Sequence, residues 1–326
     1  MFLVIKGYRI GDGCVTWAND VAAKKFSGNC NIAGNPARML REKMKNINIS
    51  VVILHFESLN DTKGCLDSLS KYQNNCNINI IVVDNGSKKA KLQSISGDYK
   101  NNPKVTFLYS DSNLGFAKGN NLGFKYAKDN YKPDIIILAN SDLLFSQNDF
   151  FERLIIHYNK DKFDVAGPKI ISLKDGKNQN PVGQVYHTVN EVRTRIIKLW
   201  ILKLLSYFNL DTYFKKIFGK EIPEYKIADG EDFQLHGACM LFGKKYIDMF
   251  DGLYSGTFMY GEECILKYII TRENMRMYYY DDIEVFHKEG SSTENFYGKG
   301  KKQRQFFYHW SIDSLMQLLD MMRRTR

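Results

Sequence analysis

Several polar residues of this chain stand where a nucleotide could be held. Asp84, Asn85 and Gly86 close one apolar run, Asp111 to Gly115 follow a second, and Asn140, Ser141 and Asp142 close a third. A carboxylate in such a place accepts hydrogen bonds from a base or a ribose, and another can hold a cation against phosphates. Further along, the run MYGEE offers two adjacent carboxylates, Glu262 and Glu263, as candidates for a general base acting on a hydroxyl.

These residues need a frame that brings them together. ISVVILHF, from residue 49, is a continuous apolar run of the kind buried on both faces of a parallel sheet. INIIVVD (78–84), KVTFLYS (104–110) and DIIILAN (134–140) repeat the signature, with a helix over about 61–72 and further helical stretches between them. Strands alternating with helices require right-handed crossovers, and hence an α/β fold with a parallel sheet. Ligands of such sheets bind at the carboxyl ends of the strands. The polar residues above are at those ends.

VVDNGS (82–87), NLGFAKGNNLGF (113–124), LANSD (138–142) and HGACMLFGKKYIDMFDGLYSGTFMYGEE (236–263) resemble, in order and spacing, the inverting family 2 glycosyltransferases, bacterial polysaccharide rhamnosyltransferases in particular. The resemblance covers about 250 residues. It implies a GT-A fold over residues 47–326, a Rossmann-like, mostly parallel sheet with flanking helices. It also implies that Asp84, with Asn85, binds the nucleoside, that Asn113 and Gly115 lie along the nucleotide, and that Lys118 approaches the phosphates. Asn140, Ser141 and Asp142 take the place of a D-x-D motif, which holds Mg²⁺ or Mn²⁺ on the donor diphosphate. Asn140 offers a neutral amide oxygen where the family's first Asp is charged, so the ion rests mainly on Asp142, the phosphates and His287, which matches a family histidine. Glu263 takes the position of the family's base and Glu262 the one before it. Glu in place of Asp there adds a methylene, and the register depends on a helix beginning near Tyr260.

The activity implied is a hexosyl or deoxyhexosyl transfer with inversion, in one in-line step, from a UDP- or dTDP-sugar. The acceptor would be a hydroxyl of a capsule or O-antigen type polysaccharide or of a lipid-linked glycan. A catalytically inactive nucleotide-sugar-binding protein is the alternative. Each residue also has a structural reading: an Asx-turn for Asp84, an N-cap for Ser141 or Asp142, helix-dipole partners for Glu262 and Glu263, and a plain core histidine for His287. His236, which opens HGACMLF, is given no catalytic role.

Composition narrows the class. With 326 residues, 44% of them hydrophobic, the chain can build a sizeable core, and a net charge of +10 calls for an anionic partner. Nucleic acid is set aside, because the basic residues are dispersed and no recognition module is present. The six cysteines form no C-x-x-C pair, which argues against zinc and for a reducing compartment. Neither a signal peptide nor an apolar stretch of about 18 residues is found, so a cytoplasmic protein is expected. Within an insertion at 174–230, RIIKLWILKLLSYF (195–208) suits an interfacial helix on the inner face of the membrane, or else a buried core helix. The C-terminal runs KGKKQR and MMRRTR add positive charge. Residues 1–46 form a separate appendage that resembles the last coil of a hexapeptide-repeat acyltransferase, too little to act as one.

Overall fold

The structure, a computed structural model, describes residues 47–324 apart from 73–75, 90, 184, 219–231 and 290–299, and before them the short segments 3–4, 9–10, 15–16, 21–22, 30–33 and 38–42. The chain divides into two units, Met1–Ile47 and Asn48–Arg326. In the first, Leu3–Val4 pairs in parallel with Val21–Ala22, and Val15–Thr16 with Cys30–Ala33, which pairs antiparallel with Arg38–Glu42. Gly11, Gly13, Gly28 and Gly34, Lys220 and the serines of VFHKEGSST lie outside the described residues.

The second unit is built on one sheet. Its strands are β1 (Ile49–His55), β2 (Ile78–Asp84), β3 (Val105–Tyr109), β4 (Ile135–Asn140), β5 (Leu143–Leu144), β6 (Val165–Ser172), β7 (Cys239–Gly243) and β8 (Met277–His287). They lie in the order β5-β8-β6-β7-β4-β1-β2-β3. Pairing is parallel from β3 through β4, antiparallel on both sides of β7, and parallel again between β6 and β8. The apolar runs of β1, β2 and β4 are buried almost throughout, as strands covered on both faces must be. All four expected strands fall within a residue of their predicted bounds. The helix expected over 61–72 is α1 (Leu59–Ser70).

Between β3 and β4 runs α2 (Phe116–Tyr131), held close to the sheet by two glycines. A Cβ on Gly119 would fall 2.7 Å from Leu54 Cδ1, and one on Gly123 would collide with Val52 and approach Val83 to 2.9 Å. Val52, Val83, Phe124, Leu138 and Phe242 share the core that this close approach creates. After β4 the chain does not enter a helix directly but adds β5, and α3 (Phe150–Asp161) follows, so neither Ser141 nor Asp142 caps it. The residue 174–230 stretch supplies α4 (Val189–Ser206) and α5 (Asp211–Phe218). A short α6 (Lys244–Met249) follows β7.

A second core joins three helices. Val192, Ile196 and Leu199 of α4 pack with Ile265 and Ile269 of α7 (Glu262–Arg272) and with Tyr308, Ile312 and Leu315 of α8 (Lys301–Arg324). So one stripe of the 195–208 run is core. Among the described residues no helix is long and apolar enough to cross a membrane.

Candidate active site

Parallel pairing puts the polar strand ends on one rim. Asp84 stands opposite both His55 and Tyr109, and Asn140 opposite Leu54. Asp84 closes the turn after β2, as an Asx-turn would: Oδ1 accepts the Ser87 N–H at 2.9 Å and Oδ2 the Leu92 N–H at 3.1 Å. A second brace, unmarked in the sequence, comes from Glu57. Its carboxylate accepts the N–H groups of Lys88 at 2.7 Å and Lys89 at 3.1 Å, and its own N–H donates to Ser87 Oγ at 3.0 Å. The braced turn forms one wall of a polar cleft of about 350 Å³, lined by Asp84, Ser87, Lys88, Lys91, Tyr109 and Asp111.

Asn85 and Asn113 shape the loop above α2. Asn85 Nδ2 donates to Asn113 Oδ1 and to the Gly115 carbonyl, both at 3.1 Å, while its Oδ1 accepts the Leu114 N–H at 2.9 Å. Gly115 has φ +85°, and a side chain there would collide with the Phe258 carbonyl, which accepts the Phe116 N–H at 2.7 Å. The glycine-rich loop is thereby fastened to the segment that leads into MYGEE. Lys118 is exposed on the first turn of α2. Asn121 holds the same segment further along, exchanging two hydrogen bonds of 2.7 Å with the Leu253 backbone.

At the far side of the rim, Leu143 pairs with His287, so the residue just before β5 meets the last residue of β8. His287 Nε2 lies 3.2 Å from Asp142 Oδ1, and both side chains are largely buried. Gln179 accepts at Oε1 from His287 Nδ1 across 2.7 Å, and its own amide N–H donates to Glu289 Oε1 at 2.8 Å. The Glu289 contact turns the Gln179 carbonyl toward the ring, which favours a proton on Nδ1 and leaves Nε2 facing the carboxylate. Two acceptors so close need a proton or a cation between them. A hard carboxylate oxygen and an imidazole nitrogen are ligand types that suit Mg²⁺ or Mn²⁺. Among the described residues no cluster of three or more His, Cys, Asp or Glu side chains is poised to hold an ion.

His236, left without a role by its sequence, joins this cluster. Its ring centre is 5.9 Å from that of His287, Asn180 Oδ1 accepts its backbone N–H at 2.9 Å, and its ring Nδ1 accepts the Ala238 N–H at 3.1 Å. Burial, with the neighbouring His287, pushes its pKa down to about 4, so the ring stays neutral. Gln179 and Asn180 both come from the 174–230 stretch, where no motif marks them.

The carboxylate pair approaches from the other side. Here α7 begins at Glu262, not near Tyr260, because Tyr260 (φ +67°) and Gly261 (φ +87°) are both left-handed and cannot continue a helix. Glu262 is buried and accepts the Thr257 hydroxyl at 3.0 Å. Burial first, then the charge of Glu263, pushes its carboxyl up to about 8. Glu263 points instead at Gly237, where any side chain would collide with its Oε1. Burial raises its pKa too, opposed by the backbone N–H groups of Glu263, Gly237 and Gly261. The dipeptide His236-Gly237 therefore touches Glu263 on one side and faces His287 on the other.

The sheet order, the polar rim and a carboxylate on each side of the His236-Gly237 turn define a GT-A type transferase fold. The chain belongs to glycosyl transferase family 2, which matches residues 50–219. It is 23% identical over 244 residues to the low-salt glycan biosynthesis hexosyltransferase Agl10 of Haloferax volcanii, covering 74% of this chain and 67% of that one. Residues 1–349 of S. aureus TarS, solved with UDP, superpose with a TM-score of 0.50 at 14% identity, over 85% of this chain and 65% of that one. GalNAc-T7, solved with UDP, GalNAc and Mn²⁺, gives a TM-score of 0.50 at 14% identity over 80% of this chain and 47% of that one. The chain thus spans less than two thirds of these structural neighbours, and the likeness is one of fold.

Proposed function

We propose that the chain transfers a hexosyl or deoxyhexosyl group from a nucleoside-diphosphate sugar to a hydroxyl of a surface polysaccharide or lipid-linked glycan, with inversion, at the cytoplasmic side of a membrane. The observation that carries this reading is the His236-Gly237 turn, which has Glu263 against it and the Asp142–His287 pair beside it. A transferase needs a base facing a place where a diphosphate departs, and this turn lies between the two.

In this reading the nucleoside occupies the cleft beside Asp84, with the exposed Tyr109 ring available for stacking and Lys88 and Lys91 adding positive charge. Asp142 and His287 would hold a divalent cation, which when bound would neutralise charge on the leaving diphosphate. Lys118 offers a second positive charge to the same phosphates. Glu263 accepts the acceptor hydroxyl's proton as the new bond forms, a role its raised pKa favours by bringing its basicity nearer neutrality. With one base opposite the leaving group, displacement is direct and no covalent intermediate is required. The GalNAc-T7 complex with UDP and Mn²⁺ and the TarS complex with UDP support a UDP-sugar as the first donor to try.

The test is a donor screen. Nucleotide release from UDP-, dTDP- and GDP-sugars is measured with Mg²⁺, with Mn²⁺ and with chelator, in the presence of glycan acceptors. Metal-dependent release from one donor class supports the reading. Tight donor binding without release from any donor would favour the inactive binding protein.

A further inference from the structure

One helix of the second unit carries two apolar stripes. On α4, Val192, Ile196 and Leu199 are buried against α7 and α8. Ile197, Trp200, Ile201, Leu204, Tyr207 and Phe208 repeat helical spacing on another side and stand in the open, with Trp200 51%, Leu204 63% and Phe208 71% exposed. Single exposed apolar side chains are ordinary, whereas a stripe of six large ones marks a surface that something covers.

The stripe is firmly mounted. Thr188 and Glu191 close a capping box at the start of α4, and the buried Asp211 at the start of α5 accepts Arg304 Nε at 2.7 Å and the Tyr308 hydroxyl at 2.8 Å. Cations border it: the Lys203 ammonium stands 4.9 Å from the centre of the Trp200 ring and that of Lys301 6.0 Å from the Tyr207 ring. Residues 189–218 contain six Lys or Arg against two carboxylates, Glu191 and Asp211, and both carboxylates are engaged by the contacts just given.

That charge pattern chooses the occupant. A second copy docked by the same face would bring like charges together. An anionic lipid surface meets both parts of the patch, since its acyl boundary takes the apolar stripe and its headgroups take the cations, while Trp200 and Tyr207 suit the boundary. We propose that α4 and the turn after it lie in the interface of an anionic membrane and hold the chain on it. Lipid binding can be read without any turnover, so this proposal and the transfer reading fail separately.

The full chain is floated with vesicles of phosphatidylcholine alone or with about 30 mol% phosphatidylglycerol. It is expected to float with the anionic vesicles, with the double variant Trp200→Ser/Leu204→Ser partitioning at least about tenfold more weakly. Lys198→Gln/Lys203→Gln should weaken binding to the anionic vesicles only. Trp200, Leu204 and Lys198 are exposed and Lys203 is half-buried beside His309, so circular dichroism and melting should match the parent, and Ile197→Ser/Phe208→Ser serves as a second variant should the first fail that check. Absence of flotation, equal flotation of parent and variants, or a dimer in light scattering that Leu204→Ser dissolves would each overturn the proposal.

Discussion

His287 Nε2 lies 3.2 Å from Asp142 Oδ1, with Gln179 holding the opposite ring nitrogen at 2.7 Å. The arrangement turns one carboxylate oxygen and one imidazole nitrogen toward each other, a pair that would help to hold a divalent cation on a diphosphate. Asp142→Ala should abolish Mn²⁺-dependent binding of a nucleoside diphosphate in calorimetry, and unchanged affinity would sink the assignment. Gln179→Ala removes the group that sets the ring tautomer and should weaken Mn²⁺ binding by about 10- to 100-fold, read from the electron paramagnetic resonance of free Mn²⁺. Retention of full affinity in that variant would make Gln179 a purely structural residue.

Glu263 and Glu262 are adjacent but face different partners, Gly237 and Thr257. Glu263→Gln preserves size and should leave donor affinity intact while kcat falls by about 10² to 10⁴ fold. Glu262→Gln should cost less. The reverse order, measured as kcat and KM for both variants with donor affinity checked separately, would assign the base to Glu262.

Glu262 also gives a pH dependence of stability. Its carboxyl rises from the usual 4.5 to about 8 on folding, so the folded state holds a proton that the unfolded state releases. The stabilisation is therefore complete below the lower value and is lost as pH climbs through the upper one. Melting should fall between about pH 5 and about pH 9, and Glu262→Gln should flatten that fall by several degrees. An unchanged slope in the variant would mean that Glu262 ionises normally.

Residues 1–46 precede β1, and their described strands belong to two small sheets of their own. A chain shortened to begin at Asn46 is expected to fold and to turn over donor at the parent rate. Loss of folding in circular dichroism would show that the first unit stabilises the second, and loss of turnover in a folded protein would place it in the reaction.

Much of this was legible in the sequence because it is local. A strand buried on both faces needs an unbroken apolar run, so β1, β2 and β4 announce themselves, and polar residues directly after such runs have to sit on the sheet's rim. Helix starts were less legible: α7 begins two residues later than its pattern suggests, since Tyr260 and Gly261 take left-handed backbone conformations that cannot continue a helix. The contact between Asn85 and Asn113 is hidden for a related reason. Their amides close a loop through each other, a pairing across 28 positions that no local pattern encodes.

What tertiary structure alone decided is how the rim is completed. His236 has no motif of its own, and Gln179 and Asn180 lie in a stretch without motifs. Their places at His287 and at the His236 backbone follow from the pairing of β6 with β8 and of β5 with β8, which brings distant segments together. Side-chain types and short spacings determine which chemistry is available and which strands carry it. Which nitrogen of His287 is free, which carboxylate of α7 faces the turn, and which stripe of α4 is left bare depend on long-range contacts, whose geometry exists only once the sheet and its helices have packed.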